Sequence, residues 1–210
     1  MNKIKAIVFD MDGVLVDAKE WHYEALNYAL DFFGYEINRF EHLEEYDGLP
    51  TRNKLQMLSY EKGLPEKLHG FINELKQIFT SREIFLKCGP SFNHQYALSK
   101  LSQEGYMLAL CSNSIKDSIE TMMVQSRLMD YFEFFLSNED VEKPKPDPEI
   151  YIKAIKRLGI NPKECVVLED NKNGIKAARE SGVHVFEVGS VSDVSYDRIK
   201  DFISKCEEGI

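Results

Sequence analysis

The pattern of hydrophobic and polar positions divides the chain into a short first strand, a helical stretch, and a region of alternating strands and helices. Residues 4–9 form a nearly continuous apolar run rich in β-branched side chains. Such a run is typical of a strand that is buried on both faces of a parallel sheet. Between residues 17 and 87 apolar side chains recur at helical spacing, and no strand is predicted there.

The helical stretch is predicted to contain three helices, over residues 19–33, 51–62 and 66–85. Gly34 and Gly63 are suited to end the first two helices, and Thr51 is expected to cap the second. Pro65 suits the first turn of the third helix. The buried stripe of the third helix is expected to consist of Leu68, Phe71, Ile72, Leu75 and Phe79.

From residue 88 onward strands and helices alternate. Strands are predicted at 106–111, 134–136, 165–168 and 183–188, and helices at 115–126, 149–158, 172–181 and 193–205. This alternation indicates an α/β fold with a doubly wound, Rossmann-like parallel sheet. A strand–helix–strand crossover needs only about 30 residues. We therefore expect a core of residues 1–16 and 88–210, with residues 17–87 inserted as an α-helical cap domain above the carboxyl edge of the sheet.

Composition limits the possible partners. The chain has 210 residues, 43% of them hydrophobic, which suits one core plus a small accessory domain. Its net charge of −9 and the lack of lysine- or arginine-rich runs argue against nucleic acid or an anionic membrane as a partner. An anionic substrate would therefore need local positive charge at its site.

The N-terminal sequence, the apolar runs and the cysteines together predict the cellular compartment. The first strand begins almost at once, which leaves no room for a signal peptide, and no apolar run is long enough to span a bilayer. The four cysteines show no paired spacing, and Cys111 is expected to be a buried strand thiol. We expect a cytoplasmic monomer with reduced thiols.

Two aspartates and a glycine follow the first strand. Asp10 and Asp12 are two positions apart, so they should face one small volume, and Gly13 permits a tight turn. Two carboxylates this close repel each other unless a cation or a shared proton compensates. Aspartates beside a glycine are also common as solvated turn residues, so this stretch alone does not decide between a site and a turn.

Other polar residues follow other strands of the predicted sheet. Ser112 and Asn113 follow one strand, Glu169 and Asp170 follow another, and the loop 143–146 has the sequence KPKP. Singly, these residues could be helix caps or a solvated turn. Together they fit phosphoryl transfer: carboxylate oxygens suit Mg²⁺, and hydroxyl, backbone N–H and lysine groups suit phosphate. A small phosphorylated metabolite is therefore the expected partner.

At these motifs the chain resembles the haloacid dehalogenase-like superfamily, in the subgroup that has a helical cap after the first strand. Residues 9–17 (FDMDGVLVD) look like its first motif and Ser112 like its second. Residues 143–146 look like the third motif, and 169–174 (EDNKNG) like the fourth. The resemblance covers the whole chain, with the motifs in the family's order and spacing.

The resemblance implies a role for each acidic residue. Asp10 would be the nucleophile that forms an aspartyl-phosphate, and Asp12 would be the general acid and then the general base. Mg²⁺ would bind the carboxylates of Asp10 and Asp170 and the backbone carbonyl of Asp12. Glu169 would either bind the ion directly or hydrogen-bond to the groups that bind it.

The resemblance also assigns the phosphate-binding groups. Ser112, the backbone of Asn113 and one lysine would hold the transferring phosphoryl group. We expect this lysine to be Lys143, because it occupies the family's place before Pro-x-Pro, with Lys145 as the reserve. Arg52 and His22 resemble residues that approach the site in several relatives, although a solvated arginine and a surface histidine are equally ordinary.

Three functions stay open at this stage. A phosphatase is favoured over a β-phosphoglucomutase-like phosphomutase, because the sequence departs from the mutase pattern at Asp17-Ala18-Lys19 and places Lys116 one position away from that group's lysine. A mutase would need a second phosphate site in the cap, for which Arg52 and Lys54 are the candidates. A non-catalytic binding protein is disfavoured, because the acidic motif residues are all present.

Overall fold

The computed structural model describes residues 3–209, and its centre is a five-stranded parallel sheet. The strands are β1 Ala6–Phe9, β2 Met107–Cys111, β3 Phe134–Leu136, β4 Cys165–Glu169 and β5 His184–Glu187. Their order is β3-β2-β1-β4-β5, so β1 lies in the middle and pairs with β2 and β4. This confirms the predicted doubly wound α/β fold. Residues 1, 2 and 210 of the predicted core lie outside the described residues.

Helices cover both faces of the sheet and form the inserted segment. In the segment they are α1 Lys19–Asp31, α2 Arg39–Glu41, which continues as a π-helix over His42–Tyr46, α3 Thr51–Lys62 and α4 His69–Lys87. In the core they are α5 Phe92–Gln103, α6 Lys116–Gln125, α7 Glu149–Leu158, α8 Lys172–Glu180 and α9 Tyr196–Glu208. Residues 17–88, all of them described, contain no strand, as predicted.

Strand β1 shows why its sequence is apolar throughout. Ile7 and Phe9 belong to one apolar cluster with residues of α5, α6 and α9, whereas Ala6 and Val8 belong to a second cluster with residues of α7 and α8. All four side chains are fully buried. Because a central strand has helices on both faces, its two sets of side chains are both removed from water.

The helical segment has an apolar cluster of its own. The cluster joins α1, α3 and α4, and its fully buried members include Leu30, Leu58 and Ile72. The division at residues 16/17 and 87/88 stays a prediction; this separate cluster is what supports it. No helix within residues 3–209 combines the length and apolar character needed to cross a membrane.

Of the buried stripe predicted for the third helix, Ile72 is fully buried, Phe71 is exposed, and Leu68, Leu75 and Phe79 are half-buried against the apolar cluster of the helical segment. The buried positions of α4 are Ile72, Lys76, Thr80 and Ile84, whereas Phe71 is 53% exposed. Because α4 packs against α1 and also reaches α6 of the core, the row of residues spaced by four faces inward, and Phe71 lies beside this row at the surface.

Some local predictions also differ from the structure. Thr51 is the first residue of α3 and Pro50 occupies the capping position, so Thr51 does not cap the helix. The sequence pattern gave no prediction for α2 or α5. The last helix begins at Tyr196, after a short 3₁₀ turn at Val191–Asp193. All four cysteines are free, and Cys111 is buried as expected.

Candidate active site

The polar residues at the strand ends meet at one edge of the sheet. Phe9 pairs with Leu110 of β2 and with Leu168 of β4, so the residues that follow these strands lie side by side. Asp10, Ser112 and Glu169 thereby line a cleft of about 410 Å³ between the sheet edge and the helical segment. Ligands of open α/β sheets bind at this edge, beside the strand where the strand order reverses.

Three carboxylates lie together in this region. Oxygen atoms of Asp10, Glu169 and Asp170 lie within 4.8 Å of one another. Burial and the charge of Glu169 raise the pKa of Asp10 well above its usual range, and Lys145 only partly opposes this. Burial raises the pKa of Asp170 to about 6, although Lys19 lowers it. The cluster thus concentrates more negative charge than its lysine neighbours neutralise.

Lys145 is the cation at the centre of the cluster. Its side chain is buried, and its Nζ donates to Asp10 Oδ1 at 2.7 Å, to Glu169 Oε1 at 2.6 Å and to the Cys111 carbonyl at 2.8 Å. Burial lowers the pKa of Lys145, but the two carboxylates outweigh burial and raise it. Tyr151 OH donates to the same Glu169 oxygen at 2.5 Å. Lys145 is therefore held as a charged group between two acids.

The expectation that Lys143 enters the site is corrected by the structure. Lys143 is exposed and lies outside the cleft, and its backbone N–H donates to Glu149. The backbone of Lys145 is instead held from both sides by the Asn113 amide, at 3.0 and 3.1 Å. This pair of hydrogen bonds fixes the position of the loop, so the second lysine of KPKP points to Asp10.

Asp12 has its own set of partners. Its Oδ1 lies 3.1 Å from His22 Nε2, and its Oδ2 accepts a hydrogen bond from Ser114 Oγ at 2.8 Å. Lys76 Nζ lies 3.2 Å from His22 Nδ1, so the neutral imidazole with the proton on Nε2 satisfies both contacts. Burial raises the pKa of Asp12, but His22 and Ser114 together outweigh it and lower the pKa.

His22 thus lies beside Asp12 rather than on an outer helix surface. Burial and the charge of Lys76 lower the pKa of His22 despite its aspartate neighbour. Arg52 lines the cleft from the helical segment, but it is exposed and lies at the mouth. Of these two predicted residues, the structure brings only His22 into contact with a motif residue.

Ser112 and Asn113 both line the cleft. Ser112 is 1% exposed, and its Oγ accepts a hydrogen bond from the Ser114 N–H at 3.0 Å. It does not cap α6, whose capping position is Ile115. Asn113 bridges the core and the helical segment, because its Nδ2 also donates to the Gly48 carbonyl at 2.8 Å.

Two further asparagines fasten the loop of the helical segment to the core. Asn171 Nδ2 donates to Asp47 Oδ2 at 2.7 Å, and Asn173 Nδ2 donates to the Asp47 carbonyl at 3.1 Å. The Asn171 Oδ1 meanwhile caps α8 by accepting from the Asn173 N–H. These contacts close the helical segment over the cleft.

Two glycines of the motifs permit the close approach of the acids. Gly13 has φ +86°, and a Cβ atom there would overlap with the Asp170 carboxylate and with Lys19. A Cβ atom at Gly174 would overlap with the Glu169 carboxylate. The glycines therefore do more than shape turns: they leave room for the side chains of the cluster.

The three-carboxylate cluster fits a divalent cation. Asp170 Oδ1 is buried and accepts no hydrogen bond from any residue within 3–209, and Oδ2 forms an ion pair with Lys19. Buried carboxylate oxygens without donors are a costly arrangement unless a cation satisfies them. Close, hard oxygen atoms are also the ligands that Mg²⁺ prefers. The Asp12 carboxylate is not part of the cluster.

Sequence reasoning missed several residues of the site. Lys19, Ser114, Lys76, Tyr151 and Asn173 were given no role. For Lys76 a signal existed, since a lysine in the four-residue row with Ile72, Thr80 and Ile84 interrupts a buried stripe. Tyr151 and Asn173 carry no such signal, because their partners are distant in sequence.

The comparisons with known proteins agree with this geometry. A family model described as haloacid dehalogenase-like hydrolase matches residues 7–188. A phosphorylated carbohydrates phosphatase of Thermotoga maritima is 29% identical over 184 residues, which cover 86% of this chain and 82% of the relative. Proteins similar to this chain therefore include a phosphatase.

Solved structures show the same fold. A β-phosphoglucomutase from Clostridium difficile has a TM-score of 0.81 and 21% identity, covering 96% of this chain and 98% of that one. CbbY from Rhodobacter sphaeroides in complex with phosphate has a TM-score of 0.77 and 24% identity, covering 87% and 84%. At these identities the likeness establishes the fold alone.

Fold, site and relatives support an enzyme of the phosphatase class. The chain belongs to the haloacid dehalogenase-like hydrolase family, whose model spans most of its length.

Proposed function

We propose that the chain is a Mg²⁺-dependent phosphatase that hydrolyses a small phosphomonoester through an aspartyl-phosphate on Asp10. The observation that carries the proposal is the position of Asp10, which is buried at the end of the central strand, bonded to Lys145 and within the three-carboxylate cluster. The Thermotoga maritima relative, a phosphatase of phosphorylated carbohydrates, supports a small phosphorylated metabolite as the substrate.

In the first step an Asp10 oxygen attacks phosphorus and the bond from phosphorus to the leaving alcohol breaks. Asp12 gives its proton to the departing oxygen. Lys145 lies against Asp10 and offers positive charge to the transferring oxygens. Ser112 and the Asn113 backbone, on the next strand, are the groups that would hold the phosphoryl group in line.

In the second step a water molecule attacks the phosphoryl group of the aspartyl-phosphate. Asp12 takes the proton from this water, and the bond between phosphorus and Asp10 breaks to release inorganic phosphate. Contacts from His22 and Ser114 favour the carboxylate form of Asp12, which is the form needed for this step.

Asp10, Asp170 and the Asp12 backbone carbonyl would hold Mg²⁺, with Glu169 beside them. The bound ion would supply charge that offsets the repulsion among the carboxylates and the phosphate oxygens. Glu169 also orients Lys145. Its Oε1 accepts one hydrogen bond from the Lys145 ammonium and a second from the Tyr151 hydroxyl.

Replacement of Asp10 by Asn tests the proposal. We expect phosphate release from small esters to fall by about 10³-fold or more, because the amide is a poor nucleophile. Asp201→Asn, on the exposed surface of α9, is the matched control and should keep full activity. Rates within a few-fold of wild type for D10N would contradict the proposal, as would a folded wild type that releases no phosphate from any ester.

A phosphomutase is the second candidate. The closed arrangement of the helical segment, held by Asn113, Asn171 and Asn173, favours it, because a mutase must exclude water from the aspartyl-phosphate. Conversion of β-glucose 1-phosphate to glucose 6-phosphate without release of phosphate would identify a mutase. Phosphate release as the main reaction would identify a phosphatase.

A further inference from the structure

Two lysines of the helical segment are buried beside the cleft. Lys54 of α3 is 6% exposed and Lys76 of α4 is 7% exposed, and both line the cleft. Lysine is rarely buried to this extent unless an acidic side chain pairs with it. Neither residue belongs to the motifs that define the catalytic cluster.

Neither lysine has a carboxylate partner. Within residues 3–209 no carboxylate oxygen lies within 4.0 Å of either Nζ, and the hydrogen bond between Lys76 and His22 Nδ1 involves a neutral ring nitrogen. Burial lowers the pKa of Lys54 to about 8 and that of Lys76 to about 7, and Lys54 repels Lys76. Asp47 and Asp12 attract the Lys54 charge, and Asp12 attracts the Lys76 charge, from beyond ion-pair distance.

This arrangement is costly for the free protein. Burying an ammonium group without a counter-charge is strongly unfavourable, and two like charges in one cleft add repulsion. An anion bound between the two lysines would offset both the burial of their charges and their mutual repulsion. The chain as a whole is acidic, with a net charge of −9, so these two positive charges also provide local attraction for an anion.

Both lysines lie near enough to Asp12 for its negative charge to act on their pKa values. Lys76 contacts His22, and His22 contacts Asp12. The phosphoryl-binding cation, Lys145, instead lies against Asp10 and Glu169. Because Asp12 faces the leaving oxygen in the proposed reaction, Lys54 and Lys76 lie where the alcohol part of the ester would lie.

We propose that Lys54 and Lys76 form an anion site for the leaving alcohol, so that the preferred substrate is a small phosphomonoester that carries a second anionic group. This proposal rests on the proposed phosphatase function. The anionic group would be a carboxylate or a second phosphate, since both are negatively charged and accept hydrogen bonds from lysine. Exposed Arg52 at the mouth of the cleft is not needed for it.

The first experiment compares matched esters on the wild-type enzyme with Mg²⁺. Phosphoglycolate and 2-hydroxyethyl phosphate have similar size and differ in the carboxylate, and fructose 1,6-bisphosphate and fructose 6-phosphate differ in the second phosphate. We expect kcat/KM to favour the more anionic member of at least one pair by about tenfold or more, as for a charge-assisted contact. The pair with the larger ratio identifies the anionic group.

The second experiment removes the charge with little change in volume. Lys54→Met should reduce the preference to about threefold or less, mainly through a higher KM for the more anionic ester of the pair. Lys67→Met, an exposed lysine of the same segment outside the cleft, is the control and should keep the wild-type ratio.

Equal kcat/KM for both members of both pairs on the wild-type enzyme would overturn the proposal, whether or not the variant folds. A preference that survives Lys54→Met unchanged would also overturn it. In both cases phosphate release and its dependence on Asp10 would persist, so the phosphatase proposal would stand. Loss of all phosphate release in the wild type would instead reject the phosphatase proposal itself.

Discussion

Asn113 and Lys145 are joined by two hydrogen bonds, from Asn113 Nδ2 to the Lys145 carbonyl at 3.1 Å and from the Lys145 N–H to Asn113 Oδ1 at 3.0 Å. The side chain of a residue after β2 thus fixes the backbone of the KPKP loop. As a consequence the Lys145 ammonium, and not that of Lys143, contacts Asp10.

The two lysines of this loop should therefore differ sharply on substitution. Lys145→Met leaves Asp10 and Glu169 without their buried counter-charge, so we expect kcat/KM for phosphate release to fall by about 10²- to 10³-fold. Lys143→Met is the matched control and should stay within about twofold, because its side chain is exposed. Steady-state kinetics with one ester checks both. A large loss in the Lys143 variant together with an active Lys145 variant would show that the original expectation was right.

The asparagines at the start of α8 should control closure of the helical segment. Asn171→Ser keeps a residue that can cap α8 but removes the bond to Asp47, and Asn173→Ala removes the second bond. Each lost hydrogen bond is worth about 1 kcal/mol, so we expect KM to rise about fivefold per variant. The free energy of unfolding should fall by no more than about 1 kcal/mol per variant. An unchanged KM in the double variant would mean that these contacts do not govern closure.

Lys76 should give the folding stability a dependence on pH. Burial and repulsion from Lys54 lower its pKa from the ordinary value of 10.5 to about 7. Between these values the unfolded chain binds more protons than the folded protein, so this contribution to stability is complete above about pH 10.5 and is lost as the pH falls towards 7. Relative to Lys76→Met, the wild type should lose about 4 kcal/mol over this range.

Urea unfolding of both proteins at a series of pH values measures this difference. Lys67→Met should follow the wild type in parallel, because Lys67 is exposed. Parallel curves for the wild type and the Lys76 variant would show that Lys76 keeps an ordinary pKa in the folded protein.

Removal of divalent cations should abolish activity. A strong chelator should stop phosphate release, and added Mg²⁺ should restore it, because the Asp10, Glu169 and Asp170 oxygens are close together. Asp170→Ala should raise the Mg²⁺ concentration for half-maximal activity by about 10- to 100-fold. Asp201→Ala, on the surface of α9, should keep the wild-type requirement. Full activity in the chelator would remove the metal from the mechanism.

The sheet and the acidic residues could be predicted because their signals are local. The apolar run before Asp10 and the alternating elements after residue 88 indicate parallel strands, and parallel strands bring their carboxyl ends to one edge. This places Asp10, Ser112 and Glu169 together without any knowledge of side-chain packing. The order of the four motifs, on which the family resemblance rests, can likewise be read directly from the sequence.

The amphipathic helices were harder to orient. Their spacing predicted α4, but its aromatic and aliphatic rows are adjacent, and only packing against α1 and α6 decides which row is buried. The prediction for Phe71 failed for this reason, and Lys76, which follows the correctly predicted Ile72 in the buried row, was missed.

The sequence by itself therefore determined the fold class, the helical insertion and the acidic cluster, because short-range periodicity and chain order specify them. Only the tertiary structure decided that Lys145 pairs with Asp10, that Asn171 holds Asp47, and that Lys54 and Lys76 are buried beside the cleft. Lys145 and Asp10 are 135 positions apart, and Asn171 and Asp47 are 124 apart. Contacts at such separations depend on how the helices pack over the sheet, which no local pattern records.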